Sequence, residues 1–198
     1  VGDKVLIEPG VPDDTCEYCR TGRYNICPGV DFMATQPNYK GALTQYMTHP
    51  EEWTYHIPEG MTTMEGALVE PAAVGMHAAV LGGAQPGKSI VILGGGTIGL
   101  MVLQACISLG ATDITVVDVI EKRLELAKKL GAARVINGKE EDTVAVLRSE
   151  EMYGDHGVDL VFEAAGAVFT AQQAVQIVSR GGKIMMVGTQ SKPVPIDF

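Results

Sequence analysis

The 198-residue chain is 46% hydrophobic and 20% charged, and 24 acidic against 15 basic side chains give a formal net charge of −9. That balance supports a packed core, and its sign argues against nucleic acid or an anionic membrane surface as the main partner. No apolar run reaches the length of a bilayer span, and the first ten residues carry charges where a signal peptide would be apolar, so the expected setting is cytoplasmic.

The first 80 residues hold three of the four cysteines and most of the aromatics, and they read as short strands and long loops. Val5 and Ile7, then Leu43, Tyr46 and Met47, suggest strand pieces without a repeated hairpin pattern. Within this region Asp13-x-x-Cys16-x-x-Cys19-x7-Cys27 forms a constellation. Three cysteines in twelve residues read as a metal site sooner than as a disulfide framework. Short spacings let one stretch of backbone present two ligands at little loop-closure cost. Zinc prefers four tetrahedral ligands, and Asp13 can supply the fourth through an oxygen. A three-cysteine site completed by water, or a lobe without metal, are the alternatives.

From about residue 87 onward the texture changes. Apolar, β-branched runs at Ile90–Leu93, Ile114–Val117, Val135–Ile136, Val158–Phe162 and Ile184–Val187 alternate with helical patterns at Thr97–Leu109, Glu121–Leu130, Thr143–Glu150 and Ala167–Val178. Gly110, Gly131 and Gly181 follow three of those helices, where a left-handed terminal residue is expected. Strands buried on both faces and alternating with helices mean a parallel α/β sheet. The expected division is therefore 1–80 and 81–198.

The first strand of the second region runs into Gly94-Gly95-Gly96-Thr97-Ile98-Gly99, a G-x-G-x-x-G pattern opening a helix. Gly94 permits the turn, Gly96 lets a pyrophosphate approach the backbone, and Gly99 lets the helix pack closely on the sheet. The helix N-terminus offers free N–H groups to phosphates. Asp118 ends the second strand a little over 20 residues later, where a carboxylate can bind the adenosine ribose hydroxyls and repel a 2′-phosphate. That pattern selects NAD over NADP. A plain strand-end or helix-capping aspartate is the bland alternative. Cys106 reads as buried core, and His49, His56, His77 and His156 have no metal-ligand spacing.

Together, in this order and separation, the two constellations resemble the medium-chain zinc-containing alcohol dehydrogenase family, and within it the sorbitol/xylitol (polyol) branch. The resemblance covers the whole chain. Val1-Gly-Asp-Lys-Val is similar to the family's V-G-D-R-V strand, and Gly22-Arg-Tyr-Asn-Ile-Cys27 to the structural-zinc lobe, which normally has a cysteine where Asp13 stands. Phe32-Met-Ala-Thr35, with Gln36 breaking a usual Pro-Pro pair, and Leu68-Val-Glu70-Pro71 continue it. The resemblance implies a GroES-like catalytic domain with a structural-zinc lobe over 1–80. Over 81–198 it implies an NAD-binding Rossmann domain of strand order 3-2-1-4-5, stopping at Asp197-Phe198 before a sixth strand. It implies cofactor contacts at Gly94, Gly96, Thr97, Ile98, Gly99, Asp118, Arg123, Val187, Gly188 and Thr189, the last three beside the nicotinamide. It implies structural zinc at Asp13, Cys16, Cys19 and Cys27, and a place for Glu70 at a catalytic zinc, directly or through its water. Read from the residues alone, Glu70 is a surface glutamate before a proline and Arg123 a solvated helix residue.

The implied reaction is reversible oxidation of a polyol or secondary alcohol to a ketone, with zinc as Lewis acid and hydride passing to NAD. The family's catalytic cysteine and G-H-E motif belong before the V-G-D segment, so the chain by itself is expected to be inactive. The implied partner is a small alcohol, and the implied assembly a homodimer or homotetramer. The alternatives are a butanediol or threonine dehydrogenase, a zinc-free reductase, and a non-catalytic nucleotide-binding module.

Overall fold

The computed structural model describes residues 2–35 and 41–196. Val1 of the V-G-D-K-V match, Gln36 of the broken proline pair, and Asp197-Phe198 lie outside the described residues. The chain divides into two compact units, Val1–Glu70 and Pro71–Phe198.

In the first unit, β1 (Val5–Ile7), β2 (Gly10–Val11), α1 (Glu17–Arg20), β3 (Asp31–Phe32), β4 (Thr54–His56) and α2 (Thr63–Ala67) follow one another. They form two antiparallel ribbons, β1 with β4 and β2 with β3, the second setting Val11 opposite Asp31. Gly10 has no side chain because a Cβ there would lie 3.2 Å from the Phe32 ring. Phe32, an aromatic in a turn-rich stretch, therefore packs on its own ribbon. Thr62 and Glu65 close a capping box around the start of α2. Leu43, Tyr46 and Met47 do not form a strand. They stand exposed, and no described strand pairs with them.

α3 (Val69–Gly82) leads into the second unit. It crosses the expected boundary at residue 80 as one continuous helix. Pro71 is tolerated because it lies in the first turn, where its missing N–H has no helical partner. Gly75 lets α3 lie directly against the next helix, since a Cβ there would come 2.5 Å from the Met101 carbonyl carbon.

The sheet then builds as β5 (Ser89–Leu93), α4 (Thr97–Ser108), β6 (Asp113–Asp118), α5 (Glu121–Lys129), β7 (Arg134–Asn137), α6 (Thr143–Leu147), β8 (Val158–Glu163), α7 (Val168–Ile177) and β9 (Val178–Met186). The spatial order is β7-β6-β5-β8-β9 and every pairing is parallel. This is the 3-2-1-4-5 order of a doubly wound Rossmann-type sheet. Its two faces carry separate cores, one around Ile90, Ile92, Leu103 and Phe162, the other around Val91, Leu93, Val161 and Ile177. Gly110 and Gly131 follow their helices with positive φ, as expected. Gly181 also has positive φ but caps no helix. α7 ends at Ile177, and Gly181 lies in the irregular start of β9, where pairing jumps from Val158↔Val178 to Leu160↔Lys183.

Among the described residues no helix is long and apolar enough to cross a membrane.

Candidate functional site

Each unit carries one constellation. In the first, α1 turns Cys16 and Cys19 toward Asp13, and the chain returns to deliver Cys27. One ligand atom from each of the four residues lies within 4.8 Å of all the others. The Cys16 and Cys19 Sγ atoms are 3.4 Å apart, and Cys19 Sγ lies 3.6 Å from Asp13 Oδ1. A tetrahedral zinc with ordinary bond lengths sets such ligands about 3.5–3.8 Å apart, so the spacing and the donor set fit that ion.

Asp13 has a second job. Its Oδ1 accepts the backbone N–H groups of Thr15 (2.8 Å) and Cys16 (3.0 Å), which folds the turn that presents the cysteines. Those N–H groups, Cys16 first, bring its pKa down to about 2. The Cys19 backbone N–H favours the Cys16 thiolate and lowers that thiol. Removal from water, and then hydrogen bonding with Cys16 and Cys27, push Cys19 up to about 12. Three sulfurs and a carboxylate this close hold one another's charge in check, and a cation at their centre would relieve that conflict. Gly29, unremarked in the sequence, is part of the cradle: a Cβ there would sit 2.9 Å from Asp13 Oδ2.

The second constellation lies at the carboxyl ends of the sheet strands. Gly94 has φ +111°, and a Cβ on it would press 2.8 Å from the Ala165 nitrogen. A Cβ on Gly99 would collide with the Gly94 carbonyl. Beside Gly96 a Cβ would meet nothing within 4 Å, so this position opens to solvent. Gly96 begins α4 without a side-chain cap, which leaves the helix's first N–H groups available to an anion. Thr97 is exposed there and Ile98 half-buried.

Asp118 is only 7% exposed and ties this turn together. Its Oδ2 accepts the Gly95 N–H at 2.7 Å and Arg123 Nη1 at 3.3 Å, while Oδ1 accepts the Ile120 N–H at 2.9 Å. The structure thus joins Gly94–Gly99, Asp118 and Arg123 in one cluster. Val187 and Gly188 lie further along, both donating backbone N–H groups to the Glu163 carbonyl at 2.8 Å. Thr189 is the neighbour that a Cβ on Gly166 would strike, at 2.8 Å from its carbonyl oxygen.

Glu70 stands exposed in the first turn of α3. Among the described residues it belongs to no group of three or more histidines, cysteines or carboxylates that could hold a metal ion. Cys106 is fully buried in α4, and burial pushes its thiol up to about 12, which suits a core residue. Sequence reasoning missed Glu163 altogether. It ends β8, is 0% exposed, and holds four donors on its carboxylate. An acid at the carboxyl end of the strand, directly before Ala164-Ala165-Gly166, was the available signal.

Comparison with known proteins adds the family. Residues 97–198 match the model described as zinc-binding dehydrogenase, and residues 1–59 the alcohol dehydrogenase GroES-like domain. The chain is 62% identical over 197 residues to the "Uncharacterized zinc-type alcohol dehydrogenase-like protein YdjJ" of Escherichia coli (strain K12), covering 100% of this chain and 56% of that protein. It is 43% identical over 201 residues to a sorbitol dehydrogenase of Bacillus subtilis (strain 168), again covering 100% and 56%. Among solved structures, an Escherichia coli oxidoreductase/dehydrogenase of unknown specificity, described as involved in membrane biogenesis, superposes with a TM-score of 0.95. It has 61% identity and coverage of 100% of this chain and 56% of that one. The chain therefore spans about half the length of the curated relatives it matches.

Proposed function

Because this chain belongs to the zinc-binding alcohol dehydrogenase family, we propose that it is the cofactor-binding and zinc-lobe part of an NAD(H)-dependent dehydrogenase interconverting a polyol or secondary alcohol and a ketone. The observation that carries this reading is the glycine turn tied to Asp118 at the point where the strand order reverses, between β5 and β8. Dinucleotides bind in that crevice in sheets of this kind.

In this reading Gly94, Gly96 and Gly99 admit the pyrophosphate to the N-terminus of α4, with Thr97 and Ile98 flanking it. Asp118 keeps its place by holding Gly95 and Ile120, and offers its remaining lone pairs to the adenosine ribose. Its buried charge disfavours a 2′-phosphate, which makes NAD the cofactor. Arg123 balances that charge at 3.3 Å and steadies the carboxylate. Val187, Gly188 and Thr189 border the nicotinamide half. The bound nicotinamide supplies the carbon that accepts or returns hydride.

Asp13, Cys16, Cys19 and Cys27 would hold a structural zinc, which crosslinks the loop and takes no part in the reaction. Glu70 is retained as the carboxylate facing a catalytic zinc. Among the described residues it joins no group of three or more possible ligands, and a catalytic zinc needs about three from the protein. The polyol preference is supported by the similarity to the Bacillus subtilis sorbitol dehydrogenase. The division at residues 80/81 into GroES-like and NAD-binding parts, a cytoplasmic setting and a homodimeric or homotetrameric assembly belong to the same proposal.

The other reading that the same experiment separates is a nucleotide-binding module without catalysis. The test is NADH formation by the whole protein that carries this chain, assayed with sorbitol, xylitol, butanediol and threonine. Zinc-dependent turnover of a polyol supports the proposal. NAD binding without turnover of any alcohol supports the non-catalytic reading.

A further inference from the structure

We propose that Glu163 is a positioning residue that shapes the half of the crevice receiving the nicotinamide nucleotide. The inference rests on the NAD-binding reading above.

The argument begins with burial. A carboxylate shut away from water is costly unless donors surround it. Glu163 is 0% exposed, and it has those donors. Oε1 accepts the Ala165 N–H at 3.1 Å, the Gly166 N–H at 2.9 Å and the Thr170 hydroxyl at 2.6 Å. Oε2 faces Gln190 Nε2 at 3.4 Å. The backbone of the same residue takes the Val187 and Gly188 N–H groups, and the next residue, Ala164, donates to the Leu93 carbonyl at 2.8 Å.

Three segments therefore meet at Glu163: the end of β5, the turn from β8 into α7, and the chain leaving β9. Space is tight on every side. A Cβ on Gly188 would lie 2.7 Å from Glu163 Oε2, and one on Gly94 would lie 2.8 Å from the Ala165 nitrogen. The glycine turn and the turn that the Glu163 carboxylate ties down thus meet at the switch point.

The doubly wound sheet divides the work between two mononucleotide halves. The β5–β6–β7 half carries the glycine turn and Asp118. The second nucleotide must then extend across the switch point over β8 and β9, whose carboxyl-end segments 164–167 and 187–190 are what Glu163 fastens. No other described carboxylate holds donors from both.

Glu163→Ala removes the acceptor. Glu163→Gln keeps most of it, because the amide oxygen can serve Ala165, Gly166 and Thr170 while the amide nitrogen turns toward Gln190, whose own amide flips to accept. The test is calorimetric titration of NAD and of ADP-ribose, which lacks the nicotinamide, together with amide hydrogen exchange in the absence of any ligand. For Glu163→Ala, NAD affinity should fall about tenfold or more and ADP-ribose affinity by less than about twofold, while Ala165 and Gly166 amides exchange about tenfold faster. Glu163→Gln should stay within about threefold of wild type for both ligands. If Glu163→Ala fails to fold, Thr170→Val removes one donor and should weaken NAD alone, by about threefold. Equal weakening of both ligands, or unchanged NAD affinity, overturns the inference. If the wild-type protein binds neither ligand, the NAD-binding reading falls and the inference with it.

Discussion

The two units are built on different physics. The unit from Pro71 onward buries the inner strands β5, β6 and β8 of its parallel sheet, and its core residues Ile90, Ile92, Leu103, Phe162 and Ile177 are fully out of water. The unit up to Glu70 has two short ribbons, and the only core hydrophobics among its described residues are Cys27 and Met33. Among these residues apolar burial contributes far less than it does in the sheet unit. The first unit's most concentrated interactions are those of Asp13 and the three lobe cysteines. If the lobe holds the proposed zinc, one unit is held by area and the other by a crosslink, and the two should fail under different insults.

The largest effect expected is from metal removal. Structural zinc in small domains is worth about 10–16 kcal/mol of apparent binding free energy, much of it folding free energy. Chelation should therefore release amide protection across residues 13–30 while leaving the β5–β9 amides protected. Elemental analysis should give up to one zinc per chain before treatment. Unchanged exchange in the lobe after complete metal removal would break the comparison.

Next in size is Phe162→Ala. Phe162 is fully buried, and its ring lies where a Cβ on Gly82 would touch it at 3.1 Å. Deleting that side chain should cost about 3–5 kcal/mol in thermal or urea unfolding. The loss should fall on the sheet unit and leave zinc retention by the lobe unaltered.

A smaller loss is expected for Gly94→Ala. The residue has φ +111°, and its new methyl would press on the Ala165 nitrogen. Backbone strain of this kind costs about 1–3 kcal/mol. The change should weaken dinucleotide binding as well as stability, because the pyrophosphate turn and the Glu163-held turn touch at that point. An undiminished NAD affinity in Gly94→Ala would show that this contact does not shape the crevice.

These differences also decide what could be read from the sequence. The inner strands β5, β6 and β8 were legible because strands buried on both faces are written as largely apolar, β-branched runs, and the glycine turn because its spacing matches its job. The strand order followed from the resemblance and agrees with the pairing found. The start of β9 was not legible: Gly181 looks like a helix terminator, yet the chain enters the sheet at Val178 and shifts register around it. α3 was hidden as well. Its Gly75 serves a close approach to Met101, and the helix carries no amphipathic period. In the lobe, the ligand set was visible as spacing, but Gly29 was not, since its role is the space it leaves for Asp13. Glu163 reads as an ordinary strand end, and only folding brings Thr170 and Gln190 to its carboxylate.

The central claim is that Asp118, fixed against Gly95 and Arg123, makes this an NAD site. Calorimetric titration of the wild-type protein and Asp118→Ala with NAD and with NADP tests it most directly. The account predicts tighter binding of NAD by the wild type and a loss of about 1–3 kcal/mol of discrimination in Asp118→Ala, the scale of a lost charged hydrogen bond. Equal or tighter binding of NADP by the wild-type protein would contradict it.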